Sequence, residues 1–162
     1  MSNLDSMTPR VFLARHGETE WTKNGRTGKL IDPTRIARIW VSPRKRAQQT
    51  FRLLFDVDGR DDYGNLVEVS EDIAEWDYGD YEGLRVGEVR SSRKERGLDR
   101  DQDWNIWRHG YEGGESAQQV TERLDRLISK IRDLQRPFMD GSEPADVVLA
   151  HSRCSRFSQP KL

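Results

Sequence analysis

Two short apolar runs, each delivering the chain to a histidine, constrain this sequence more than any other feature. Val11-Phe12-Leu13-Ala14 runs into Arg15-His16-Gly17, and Val147-Val148-Leu149-Ala150 runs into His151. Four apolar residues in a row are too few for a helix and read as strands buried on both faces. Strands of that kind sit in parallel sheets covered by helices, and ligands of such sheets gather beyond the carboxyl ends of the strands. Each histidine therefore falls where a sheet of this type opens its binding edge.

The intervening segments agree with that sheet. Ile36-Ala37-Arg38-Ile39-Trp40-Val41 reads as another inner strand, and Leu66-Val67-Glu68-Val69 as a short one. Ser42 suits an N-cap and Pro43 a first helical residue. Ala47, Thr50, Phe51 and Leu54 then recur at helical spacing, which predicts a helix from Pro43 to about Phe55. Ser116 and Gln119 form a capping-box pattern ahead of Val120, Leu124, Leu127, Ile128, Ile131 and Leu134, an amphipathic helix ending before Pro137. Strands alternating with helices predict an α/β domain of three layers, α/β/α, around a mostly parallel central sheet.

Composition limits the classes of partner. At 162 residues the chain suits one domain, and equal hydrophobic and charged fractions of 34% predict a thin core with long loops. A net charge of −1, with arginines lying beside carboxylates, argues against a nucleic-acid partner. No apolar run is long enough to span a bilayer and no basic-then-apolar leader opens the chain, so a cytoplasmic protein without a membrane partner is expected. Cys154 is the single cysteine, which excludes an intramolecular disulfide and fits a reducing compartment. With the three histidines dispersed, it forms no metal-ligand cluster, and neither a metal nor another cofactor is expected.

The residues at the predicted edge suit a phosphoryl group, whose charged oxygens call for cations and fixed donors. Arg15 stands beside His16. Arg44, Lys45 and Arg46 open the predicted helix, whose N-terminal dipole also favours anions. A neutral histidine with one ring nitrogen held by a neighbour can attack phosphorus with the other. Taken alone, Arg44, Lys45 and Arg46 read rather as a solvated helix start.

The stretch Arg15-His16-Gly17-Glu18-Thr19-Glu20-Trp21 resembles the signature of the histidine phosphatase superfamily, which also contains the phosphoglycerate mutases. The resemblance implies that His16 is the nucleophile and that Arg46 is the phosphate-binding arginine, with Arg44 and Lys45 at the rim. Asn24-Gly25-Arg26-Thr27-Gly28 resembles the phosphate-loop segment, which makes Thr27 and Gly28 substrate contacts. Glu75-Trp76-Asp77-Tyr78-Gly79-Asp80-Tyr81-Glu82-Gly83-Leu84 is similar to the segment whose first glutamate donates a proton to the leaving oxygen. A carboxyl with that task needs apolar or negative surroundings, and Trp76 and Tyr78 are its neighbours in sequence. His151 matches the second catalytic histidine.

Residues 75–84 and 97–110 further resemble the fungal sedoheptulose bisphosphatase branch. That implies a phosphorylated sugar as substrate, with Arg93, Arg100 and Arg108, alongside Lys94 and Arg96, as groups for its distal phosphate. Trp104 and Trp107 are open to either a pocket wall or helix packing, and His109 reads as a surface residue.

The chain departs from the family pattern in two places. Lys29-Leu30-Ile31-Asp32-Pro33 leads almost directly into Ile36, leaving no room for a helix expected near residues 29–35. After His151 the chain reads Ser152-Arg153-Cys154, with serine in place of the usual glycine. The expected organisation is a disordered tail over 1–10, a histidine phosphatase domain over 11–151 lacking that helix, and a tail over 152–162 foreign to the family. The expected function is hydrolysis of a sugar bisphosphate through a phosphohistidine. A mutase-like phosphotransferase and a non-catalytic remnant that binds phosphorylated ligands are the alternatives, and homo-oligomerisation stays open.

Overall fold

A computed structural model describes residues 8–15, 31–55 and 63–151, and of Arg15 the backbone alone. It divides into two compact units. One takes the described residues up to Glu75 together with 124–151, and the other takes 76–123.

The first unit is built on a sheet of four parallel strands: β1 (Val11–Arg15), β2 (Ile36–Val41), β3 (Val67–Val69) and β4 (Asp146–His151), in the order β1-β4-β2-β3. Alternate residues of β4 serve opposite faces, as strand geometry requires. Val148 and Ala150 pack with Ile39, Val41, Ala47, Phe51 and Phe55, the last three from helix α1 (Lys45–Phe55). Val147 and Leu149 face the other way, onto Trp40 and the Leu127 and Ile131 side chains of helix α4 (Ala117–Gln135). Helices thus cover both faces, and the predicted three-layer parallel architecture is present. Ile36 and Ile39 share a face although three residues apart, because the β2–β4 register shifts between Ile36 and Arg38.

Several expectations need adjustment. The helix expected from Pro43 begins at Lys45, and Ser42 is buried, its Oγ standing 3.5 Å from the Arg44 amide. Residues 33–35 form one 3-10 turn that feeds β2 directly. Leu124 and Ile128, expected in the apolar stripe of α4, are exposed, because the sheet is met by Leu127 and Ile131 with Leu134. The tail expected over 1–10 does not reach Arg10. Its amide, Nε and Nη2 all donate to the fully buried Asp146 carboxylate at the head of β4, at 2.9, 3.1 and 2.6 Å. Arg35 adds a contact of 3.3 Å to the same group. Residues 1–7 of that tail, and residues 152–162, lie outside the described residues.

The second unit has no sheet among the described residues. It carries α2 (Val86–Glu95), α3 (Ile106–His109) and the opening turns of α4. Its core is Tyr81, Val89, Trp104 and Tyr111, ringed by Trp76, Tyr78, Leu84, Val86 and Ile106. The aromatic rings meet edge to face, Tyr78 on Tyr111 at 5.0 Å and Trp76 on Tyr111 at 5.9 Å, the geometry their quadrupoles favour. Helix α2 ends in a Schellman motif. Gly97 has φ +70°, its amide donates to the Lys94 carbonyl, and the Leu98 amide donates to the Arg93 carbonyl. Gly79 is fixed by space as well as by its φ of +50°: a Cβ there would fall 2.3 Å from the Glu112 carbonyl oxygen and the Gly114 nitrogen.

Candidate active site

The carboxyl edge of the parallel sheet collects several of the residues singled out by sequence. In the β1–β4 register Arg15 stands opposite His151, so the last residues of the two strands are level. Ala150 is paired with Val41 at the end of β2, and the Ser42 amide donates to the Ala150 carbonyl at 2.9 Å. Three residues further on, α1 begins, and Arg46 sits exposed in its first turn. Arginine, histidine and a helix N-terminus are thereby carried to one edge by strand pairing and a short turn.

β3 brings Glu75 to the same unit. The chain leaves β3 through Ser70 and a 3-10 turn over Glu71–Ile73, and Glu75 follows two residues later, half-buried. His151 is held by that turn, its Nδ1 lying 3.2 Å from the Ile73 carbonyl oxygen. A carbonyl only accepts, so this bond places the proton on Nδ1 and leaves the Nε2 lone pair of the neutral ring for other work. The turn is pinned in its own right. Asp72 takes two bonds on Oδ1 from the Arg126 guanidinium, at 3.2 and 3.1 Å, and one on Oδ2 from Lys130 at 3.1 Å. Burial opposes ionisation of Asp72, but the bonds and charge of Lys130 and Arg126 outweigh it and hold this carboxyl below its ordinary range.

His16, Thr27 and Gly28 lie outside the described residues, as does the side chain of Arg15. The three arginines expected on a distal phosphate all fall in the second unit, in different settings. Arg93 is buried, with 2.9 Å bonds to Asp99 from Nε and Nη2, and contacts at 3.1 Å to the Tyr81 hydroxyl and 3.4 Å to Glu112. Burial works against its charge, and the bonds to Asp99 and Tyr81 more than restore it. Its guanidinium is thus engaged by Asp99, Tyr81 and Glu112 within the unit. Arg100 and Arg108 are exposed. Lys94 and Arg90 line a cavity of about 230 Å³ with Asp99, Asp103 and Trp104. Trp104 is a core residue, its Nε1 donating to the Gly110 carbonyl at 3.0 Å, whereas Trp107 is largely exposed. His109 is a surface residue whose Nδ1 accepts from the Asn105 amide at 2.9 Å.

Two features of the site region have no counterpart in the sequence reading: the Ile73 carbonyl and the Asp72 clamp. Asp72 could have been noticed as an acidic residue facing basic positions four apart on a predicted helix, Arg126 and Lys130. Among the described residues no group of three or more His, Cys, Asp or Glu side chains could hold a metal ion, and no helix is long and apolar enough to cross a membrane.

A three-layer α/β protein, with arginine and histidine level at the carboxyl edge of a parallel sheet, is the class these features define. The chain belongs to the histidine phosphatase superfamily, whose branch 1 model matches residues 25–139. By kinship its class is that of the phosphoric monoester hydrolases. The matched stretch contains Arg46 and Glu75 and falls between His16 and His151.

A sedoheptulose 1,7-bisphosphatase of Saccharomyces cerevisiae is 37% identical over 182 aligned positions, covering 95% of this chain and 67% of the yeast protein. Those 182 positions exceed the 162 residues of this chain, so the yeast protein carries positions that this chain lacks. An acid phosphatase of Mycobacterium tuberculosis is 35% identical over 142 residues, covering 74% of this chain and 62% of that protein. The chain thus spans about two thirds of the length of these relatives. A solved structure of an open reading frame from Mycobacterium tuberculosis superposes with a TM-score of 0.59 at 28% identity, covering 89% of this chain and 74% of its own.

Proposed function

We propose that this chain hydrolyses a phosphate monoester of a sugar bisphosphate through a phosphohistidine. The observation that carries the reading is the level pairing of Arg15 with His151, whose ring is oriented by the Ile73 carbonyl two residues before Glu75. In this mechanism a ring nitrogen of His16 attacks phosphorus, forming a P–N bond as the P–O bond to the sugar breaks. Arg15, Arg46 and His151 stabilise the charge that grows on the phosphoryl oxygens. Glu75 gives its proton to the departing sugar oxygen. Water then attacks phosphorus, the P–N bond breaks, and Glu75 recovers a proton from that water. Thr27 and Gly28 donate to the transferred phosphoryl group. The sugar bisphosphate is supported by the likeness to the yeast enzyme.

Phosphate release from sedoheptulose 1,7-bisphosphate, by the wild-type chain and by His16→Ala, tests the reading. Release by the wild type and none by the variant is the expected result, with an acid-labile phosphoenzyme trapped in the wild type alone. Release that survives in His16→Ala overturns it. A second reading, a phosphate-ester binder without turnover, is favoured by the positions that the yeast protein has and this chain lacks. Saturable binding of the bisphosphate with no release would select it.

A further inference from the structure

The turn that leads to Glu75 is clamped to α4 by ion pairs on Asp72. Three things fix the Glu71–Ile73 turn. Ser70 is buried, and its Oγ accepts from the Asp72 amide at 3.3 Å, while the Ala74 amide closes the turn on the Glu71 carbonyl at 3.0 Å. The Ile73 side chain is 5% exposed and packs among Trp40, Leu127, Ile131, Val147 and Leu149. The Asp72 carboxylate is gripped by Arg126 and Lys130, which lie four apart on α4 and so on one face of it. The α4 helix thus holds the turn through an apolar side chain on one residue and a carboxylate on the residue before it. Together they hold the Ile73 carbonyl, which receives His151 Nδ1 at 3.2 Å.

The strength of the clamp fits a fine adjustment. Arg126 and Lys130 are 61% and 48% exposed, whereas Asp72 is 14% exposed. Exposed pairs of this kind contribute little to global stability. A bidentate guanidinium and an ammonium on opposite oxygens of one carboxylate nevertheless leave it a narrow range of orientation.

We infer that Asp72 is a positioning residue: locked by Arg126 and Lys130, it holds the Ile73 carbonyl where it sets the tautomer and orientation of the His151 ring. The assignment rests on the reading of His151 as a residue of the phosphoryl site, because a surface histidine would gain nothing from it. Loss of the clamp lets the turn relax, the Nδ1–H bond to Ile73 lengthens, and the Nε2–H tautomer becomes populated. A ring in that form presents a hydrogen where the other presents a lone pair, so its contact with a phosphoryl oxygen changes before protonation is considered.

Long-range ¹H–¹⁵N correlation spectra of histidine-labelled protein read the tautomer directly, with the His151 signals identified by their loss in His151→Gln. The wild type is expected to hold the Nδ1–H form. Asp72→Ala, and the pair Arg126→Ala with Lys130→Ala, are expected to shift His151 towards a mixture, while Asp72→Glu retains most of the wild-type signal. In an active chain the same variants lower kcat roughly tenfold with KM nearly unchanged, as misplacement of a group acting in the transition state does. An unchanged His151 tautomer in the Arg126→Ala, Lys130→Ala double variant overturns the proposal, as does an Nε2–H ring in the wild type. The double variant alters exposed side chains alone, so it decides the matter even where Asp72→Ala does not fold. Since the spectra need no turnover, a chain that releases no phosphate refutes the proposed hydrolysis and leaves this test standing.

Discussion

The two units of this chain reach order by different means. The first packs mainly aliphatic side chains, with Trp40 on one face and Phe51, Phe55 and Tyr63 on the other, against a parallel sheet, and among its described residues buries a carboxylate at Asp146, between Arg10 and Arg35. The second has little aliphatic surface to hide. It sets Tyr81 edge to face against Trp104 and Tyr111 and ties the surround together with arginines. Arg93 and Arg96 meet Glu112 and the Tyr81 hydroxyl, and Arg123 meets both oxygens of Glu115 at 2.8 and 3.0 Å. Non-directional burial tolerates small shifts, whereas rings and ion pairs must be met at set angles. A chain with as many charged as hydrophobic residues can thus still complete a second core, provided its charges are partnered.

The difference is most sharply broken at Trp104. Trp104→Ala removes the largest ring of the second core and leaves the Gly110 carbonyl without its donor, at an expected cost of about 3–5 kcal/mol. Hydrogen exchange should show protection lost across residues 76–123; uniform loss over the whole chain would contradict separate sources of order. Next comes Asp146→Ala, expected to cost about 3 kcal/mol because two largely buried arginines lose their carboxylate. Urea unfolding should register it, with faster exchange concentrated in β1 and β4.

Ser116→Ala probes a smaller term. Ser116 Oγ accepts from the Gln119 amide at 3.2 Å and Gln119 Oε1 accepts from the Ser116 amide at 2.8 Å, so both halves of the capping box are made. Its loss should cost about 1 kcal/mol and fray the first turn of α4. Acid has the smallest expected effect. The Tyr81 hydroxyl bond, against some burial, and then Arg96 and Arg93 hold Glu112 below its ordinary 4.5. The stability it contributes is whole above that value and is lost as pH falls through the lower, folded value. Unfolding followed between pH 6 and 3 should therefore show a slope below about 4.5 that Glu112→Gln flattens.

Legibility in the sequence divides along the same line. Val147 to Ala150 announces a strand because every side chain is apolar, and Ser116 with Gln119 announces the start of α4 because both partners lie within four residues. Helix α2 gave no such signal. Its buried face consists of Val89 and Arg93, and an arginine in a core position erases the apolar period, leaving Gly97 as the one local mark of its end. Asp146 reads as an ordinary charge, since its partners Arg10 and Arg35 lie 136 and 111 residues away. The placement of His151 at the end of β4 and of Arg46 in the first turn of α1 was legible from the elements that lead to them. The acceptor of the His151 proton was not, because a backbone carbonyl has no letter of its own.

The order β1-β4-β2-β3 has a consequence in time. β4 is the last of the described strands in the chain yet lies between β1 and β2, so until it arrives β1 has no neighbour and the β2–β3 pair has an open flank. Closing the sheet requires partners more than a hundred residues apart to meet, which makes folding slow and late to commit. A ribosome or chaperone handling this chain therefore meets a long interval in which Phe12, Val41 and their apolar neighbours await cover, and Arg15 and His151 become neighbours only when that interval ends.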